Sequence, residues 1–358
     1  MTKNKIDYII VGLGLAGACL AVQLLRRGKR IMVYNRPDQN RASLVAAGLF
    51  NPITGKRIVK TWKADETFPY LFKFYRDVEN ELQIKFFYNL PLYTPFQTIK
   101  EQNDWMSKSV NDSIKNYISQ VTTQSTFGDE VNDPMGGILL SQCGYINTGV
   151  FLGGVQKLLQ QKESYSEEWW VEENMKISND EGVEYENISA EKIIYCTGIY
   201  ALKSRYFGTL PLKALKGEVI TINTQKPLNR IYNRGVYVVE SGEMEYKAGA
   251  TYDLSNLKEG VTADGRKELE QNVSDLLNIP FEVAHQDWGI RPSTLDRRPI
   301  IGAHPAQNNI VIFNGLGTKG VSLAPYFSEQ LADYITGRGN LDKEANITRV
   351  KSLYSKFH

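Results

Sequence analysis

Three glycines spaced as G-x-G-x-x-G (Gly12, Gly14 and Gly17) directly follow the apolar run 8–11 and open a second apolar stretch. A chain turning this way between a buried strand and a helix has few alternatives. The first glycine permits the tight turn, the second lets the backbone approach a pyrophosphate, and the third lets helix and strand pack closely. Segment 16–27 carries apolar residues at helical spacing and stops at Gly28, and 30–34 is again strand-like. Strand, turn, helix and strand make a βαβ unit with parallel strands. In that setting the turn reads as a nucleotide site, with phosphate held by the N–H groups at the helix start, around Leu15 and Ala16. Tight packing alone is the other reading.

A carboxylate is expected at the end of the second strand, to hold the adenosine ribose. Asn35 stands there instead, able to hydrogen-bond but without charge. Arg36 beside it reads either as a contact to a 2′-phosphate or as an ordinary solvated arginine.

Further along, the pattern predicts helices at 65–82, 148–161, 267–277 and 321–335. Strands are predicted at 217–223, 235–240, 244–251 and 310–313, with a hairpin turn at Ser241 and Gly242. The stretch 86–133 reads as irregular, polar and aromatic. Nucleotide-binding features at both ends with a sheet between them imply a discontinuous cofactor domain (1–60, 136–205 and 285–358). A substrate domain (61–135 and 206–284) is inserted in it. The expected fold class is α/β: a Rossmann-like FAD-binding domain (βαβ) with an inserted α+β substrate domain built on an antiparallel sheet.

Net charge argues for no particular partner, and a local basic patch stays open. Lys plus Arg (42) nearly balances Asp plus Glu (40), so no net field favours nucleic acid or a membrane surface. Cys19, Cys143 and Cys196 show no CxxC spacing, and with three histidines neither a metal site nor a disulfide framework is expected. The run 8–25 is explained by the glycine turn rather than by a signal anchor, so no membrane span and a cytoplasmic location are expected.

Five blocks, in order, carry a resemblance to a family. They are VGLGLAG (11–17), RASLVAAG (41–48), IIYCTG (193–198), GIRPSTLDRRPIIG (289–302) and NGLGTKGVSLAP (314–325). Together they resemble the D-amino-acid oxidase (DAO) superfamily of FAD enzymes, which includes glycine oxidase and sarcosine oxidase. The region 60–135 matches no part of it.

The resemblance implies roles for particular residues. Ala46, Ala47 and Gly48 would lie along the flavin, and Ser43 would bond a phosphate oxygen or merely cap a loop. Thr197 and Gly198 would pass near the pyrophosphate. Gly315, Gly317, Thr318, Lys319 and Gly320 precede the last helix, where Lys319 would be the cation stabilising reduced flavin, or a solvent-facing loop lysine. Arg291 matches the arginine that pairs with a substrate carboxylate over the flavin; a salt-bridged surface arginine is the alternative. Tyr237 would offer its phenol to substrate or pack in the core. Lys247 would sit beside flavin N5 and favour reaction with oxygen, or face solvent from its strand. No cysteine or histidine matches a covalent attachment residue, so FAD would be held non-covalently.

The implied activity is oxidation of the C–N bond of a small amine or amino acid of glycine, sarcosine or D-amino-acid type, by hydride transfer to flavin N5. The electron acceptor, oxygen or another, is left open, as are substrate identity and oligomeric state. Three other readings stand beside it. One is a same-fold dehydrogenase with a non-oxygen acceptor. The second is modification of a tRNA uridine side chain, which a basic patch of Lys56, Arg57, Lys60 and Lys63 would favour. The third is a non-catalytic flavin- or nucleotide-binding protein.

Overall fold

The computed structural model describes residues 4–36, 42–54, 58–178, 182–254 and 256–353, the last three by backbone alone. Arg41, Lys56 and Arg57, singled out above, lie outside these.

The N-terminal unit forms as expected. Strand Asn4–Val11 pairs in parallel with Ile31–Tyr34 on one side and with Ile188–Tyr195 on the other. Gln307–Asn314 continues the parallel sheet beyond Ile188–Tyr195, and the short strand Tyr165–Ser166 closes the far edge. The crossover helix Leu15–Arg26 is buried at every position from Leu15 to Leu24. A helix buried all round belongs inside a protein, and it packs against the last helix, Gly320–Ile335. The apolar run 8–25 is therefore a strand and a helix. Among the described residues no helix is long and apolar enough to cross a membrane.

A second sheet of eight strands runs in the order Phe281–Thr294, Leu212–Thr224, Glu245–Gly249, Val236–Gly242, Ile231–Arg234, Leu92–Pro95, Gly137–Leu140 and Ile118–Thr122. Its pairs are antiparallel except Ile231–Arg234 with Leu92–Pro95. Helix Ala263–Leu276 covers one face, setting Leu269, Val273 and Leu276 against Ile220, Ile222, Val236 and Val238. The two sheets give the α/β class with an antiparallel partner sheet that the sequence implies.

Three details differ from expectation. The hairpin turns at 243–244, with Met244 at φ 57°, so Ser241 and Gly242 still belong to the strand. The stretch 86–133 is not irregular: it holds strands Phe87–Asn89, Leu92–Pro95 and Ile118–Thr122 and helix Ile99–Ser109. Strands this short show no period, and remote partners hold them, as when the Tyr93 hydroxyl donates to Asp133 at 2.8 Å. Finally, Gly137–Leu140 and Phe281–Thr294 are strands of the second sheet, although the segment boundaries gave 136–205 and 285–358 to the cofactor domain.

Candidate active site

A cleft of about 2550 Å³ opens where the glycine turn, the loop 42–54, the end of strand Phe281–Thr294 and the turn before the last helix meet. Ordinary ligand pockets are roughly 300–1,000 Å³, so this one has room for an extended dinucleotide and a further molecule. Apart from Gly17, Gly315 and Lys247, every expected site residue lines it.

The glycine turn fits its reading. Gly12 has φ +99°, and a Cβ there would stand 2.6 Å from the Cys196 carbonyl oxygen. A Cβ on Gly17 would overlap the Gly12 carbonyl oxygen, so only glycine lets the helix rest on the turn. Ser43 Oγ accepts the Leu15 N–H at 3.2 Å, which makes it a cap on the helix start. Asn35 Oδ1 accepts the Leu13 N–H at 3.0 Å, and its amide donates to the Tyr165 hydroxyl at 3.2 Å. Asn35, at the position expected to hold ribose, straps the turn to the second strand. Arg36 is neither simply solvated nor facing open water. Its guanidinium carbon stands 4.4 Å from the Trp169 ring centre and 3.9 Å from that of Tyr200, and Nη2 donates to the Tyr200 hydroxyl at 2.7 Å.

Thr197 and Gly198 close strand Ile188–Tyr195 beside this turn. The Thr197 hydroxyl oxygen is buried and has no hydrogen-bond partner among the described residues. An orphaned polar group costs about 1–3 kcal/mol, so its place against a glycine cradle points to a ligand oxygen. The cradle, the orphaned hydroxyl and the size of the cleft all fit FAD.

Farther along, Ala46, Ala47 and Gly48 line the same cleft as the turn 317–319, which leads into the last helix at Gly320. Gly315 precedes that turn in the chain, and a Cβ there would stand 2.8 Å from a Thr294 methyl carbon. Thr318 is exposed. Lys319 faces the cleft, and its Nζ donates to Asn51 Oδ1 at 3.1 Å. Burial pushes the Lys319 ammonium down to about 8. Asn51 is itself buried and donates to the Ile53 carbonyl at 2.9 Å. Its role was missed in the sequence, where the one signal is an Asn-Pro turn just past the flavin-loop block.

Lys247 is bound to the loop that carries Ala46. Its Nζ donates to the carbonyls of Leu44, Val45 and Ala46 at 3.1, 3.2 and 3.4 Å, behind the loop and out of the cleft. Burial lowers its pKa, against the opposing pull of Asp287 and Glu245. The short helix Ala42–Val45 covers the strand face that would otherwise meet solvent.

Arg291 and Tyr237 lie together. Burial raises the Tyr237 phenol to about 12 while Arg291 pulls it down. Arg291 Nη1 is buried with no hydrogen-bond partner among the described residues, and the guanidinium carbon is 5.4 Å from the Tyr252 ring centre. Tyr252, also missed, is 65% exposed at the cleft wall. The expected Lys60 and Lys63 each carry an acidic partner, Asp65 and Asp342 respectively.

Known proteins share this architecture. The tRNA 5-methylaminomethyl-2-thiouridine biosynthesis bifunctional protein MnmC of Idiomarina loihiensis is 22% identical, over 93% of this chain and 56% of its own. The chain thus spans about half the length of that curated relative. Glycine oxidase from Geobacillus kaustophilus superposes with a TM-score of 0.76 at 18% identity, covering 94% of this chain and 96% of that one. L-proline dehydrogenase from P. horikoshii gives 0.79 at 15% identity, covering 98% and 99%. Residues 7–334 match the family described as DAO, FAD dependent oxidoreductase, and the chain belongs to that family of FAD-dependent enzymes.

Proposed function

We propose that this protein oxidises the C–N bond of a small amine or amino acid carrying a carboxylate, with FAD held non-covalently. The observation that carries it is the Arg291 guanidinium, with Nη1 buried and without a hydrogen-bond partner among the described residues, beside Tyr237 in the cleft that holds the glycine turn. FAD supplies the acceptor for the two electrons removed from the substrate. The chain's own groups do the rest. Arg291 pairs with the carboxylate and orients the molecule. Tyr237, protonated across the physiological range, donates to a substrate oxygen. Lys319 places a cation at the wall formed by the turn 317–319.

The names of the similar proteins, glycine oxidase and L-proline dehydrogenase, agree with a carboxylate-bearing amine. A cofactor unit around the parallel sheet and a substrate unit around the antiparallel one belong to the same proposal, as does a cytoplasmic setting, which the three buried free cysteines favour.

A second reading concerns the acceptor. Lys247, expected to promote reaction with oxygen, is committed to the loop carbonyls, which favours an acceptor other than oxygen. Modification of tRNA, as in the name of MnmC, is less favoured, because Lys60 and Lys63 are already paired.

Matched pairs of compounds test the carboxylate. Anaerobic reduction of the flavin by sarcosine or proline, but not by dimethylamine or pyrrolidine, is expected. Equal reduction by both members of a pair would remove Arg291 from the account.

A further inference from the structure

Arg291 leaves strand Phe281–Thr294 opposite Leu215, and its side chain reaches back over Gly217, two residues along the neighbouring strand. A Cβ on Gly217 would stand 2.5 Å from Arg291 Nη2 and 2.6 Å from Cζ, and would overlap Nη1. Nη1 and Nη2 stand closer to that point than Cζ does, so the guanidinium turns its terminal Nη1–Nη2 end toward this residue.

Nothing else in the strand calls for glycine here. Gly217 is buried, its φ is not positive, and the register shift of the pair falls later, between Thr221 and Ile222. A glycine inside a regular strand weakens it, so the gain must lie in the space it leaves. The next residue back anchors a second contact. Lys216 and Asp253 exchange backbone hydrogen bonds at 3.0 Å, and Asp253 follows Tyr252, whose ring stands 5.4 Å from Arg291 Cζ.

We propose that Gly217 is a positioning residue: by lacking a side chain it leaves the space that the Nη1–Nη2 end of the Arg291 guanidinium occupies, and so holds the group in the orientation in which a carboxylate is received. A guanidinium pairs with a carboxylate edge to edge, in its own plane, so holding the group in one orientation fixes the approach. The inference rests on the carboxylate-binding reading of Arg291, and the experiment separates the two.

Benzoate, a carboxylate with no oxidisable C–N bond, is titrated into the FAD-loaded protein and followed by its perturbation of the flavin spectrum. The proteins are wild type, Gly217→Ala, Arg291→Lys and the double variant. Gly217→Ala is expected to weaken benzoate at least about tenfold, at unchanged FAD content and melting midpoint, since its Cβ meets chiefly the movable end of Arg291. In the Arg291→Lys background the same substitution is expected to change benzoate affinity less than about twofold, because the planar group is gone. If Gly217→Ala alone fails to load FAD, the double variant is expected to load it, and failure of both overturns the inference. It is also overturned if Gly217→Ala binds benzoate as wild type does while Arg291→Lys does not, or if Gly217→Ala weakens binding equally in both backgrounds. Benzoate that binds wild type and Arg291→Lys alike, or does not bind wild type, overturns the carboxylate reading itself.

Discussion

Lys319 Nζ donates a hydrogen bond of 3.1 Å to Asn51 Oδ1, tying the turn before the last helix to the loop that follows Gly48. The pair sits on the cleft wall, so whatever lies against that wall feels a positive charge that Asn51 holds in place.

That charge is pH-dependent in a defined direction. Burial lowers the Lys319 pKa to about 8, so the ammonium is present below that pH and lost above it. A cation favours the negative charge of reduced flavin. Lys319→Met is therefore expected to lower the flavin potential at neutral pH by about 30 mV, equivalent to ~1.4 kcal/mol. The gap between the two proteins should close as pH rises through 8. Redox titration with indicator dyes reads both; equal potentials at neutral pH would take Lys319 out of this role.

Lys247 is expected to act through the loop it holds. Its three donated bonds end on the carbonyls of Leu44, Val45 and Ala46, and Lys247→Met leaves these without a partner they now have. FAD should bind about tenfold more weakly, which corresponds to ~1.4 kcal/mol, within the usual cost of such a loss. Ultrafiltration of the holoprotein measures it. Unchanged FAD affinity together with selectively slowed reoxidation by oxygen would instead restore a role at the flavin.

Thr197→Val tests the orphaned hydroxyl. Valine keeps the shape and removes a buried polar atom that has no hydrogen-bond partner among the described residues, so the apoprotein should be equally or more stable. FAD affinity should fall about tenfold if a cofactor oxygen is that atom's partner, a loss of ~1.4 kcal/mol. Calorimetry of apoprotein and holoprotein separates the two effects. A loss of apoprotein stability with unchanged FAD binding would contradict the assignment.

Two glycine-to-alanine changes should diverge. Gly17→Ala drives a methyl into the Gly12 carbonyl oxygen, which is backbone and cannot swing away, so FAD loading should be lost. Gly153, exposed in helix Thr148–Gln161, has nothing within 4 Å of its open side. Alanine there should raise stability by about 0.5–1 kcal/mol. Thermal melts with and without FAD report both, and a Gly17→Ala protein that binds FAD normally would refute the packing argument.

What the sequence disclosed follows from how local each signal is. The βαβ unit was legible because glycine spacing and apolar runs are fixed by short-range sterics, and helix Thr148–Gln161 has the bounds its periodicity predicts. Residues 86–133 were not, because strands of three to five residues depend on remote partners such as Asp133 for Tyr93. The site divides in the same way. Arg291 and the glycine turn sit in recognisable blocks. Asn51, Tyr252 and the seat at Gly217 matter only through residues 39–268 positions away, and both readings of Lys247 stayed open because the loop covering it is also distant in sequence.

The most direct test of the account is an anaerobic titration. The purified protein's visible spectrum is recorded, and then glycine, sarcosine, proline and D-amino acids are added in turn without oxygen. A yellow flavin spectrum that bleaches with at least one carboxylate-bearing amine in wild type, and about a hundredfold more slowly in Arg291→Ala, is the predicted result; such a loss equals ~2.7 kcal/mol of transition-state stabilisation. A flavin that none of these compounds reduces, or that is reduced as fast without Arg291, would contradict it.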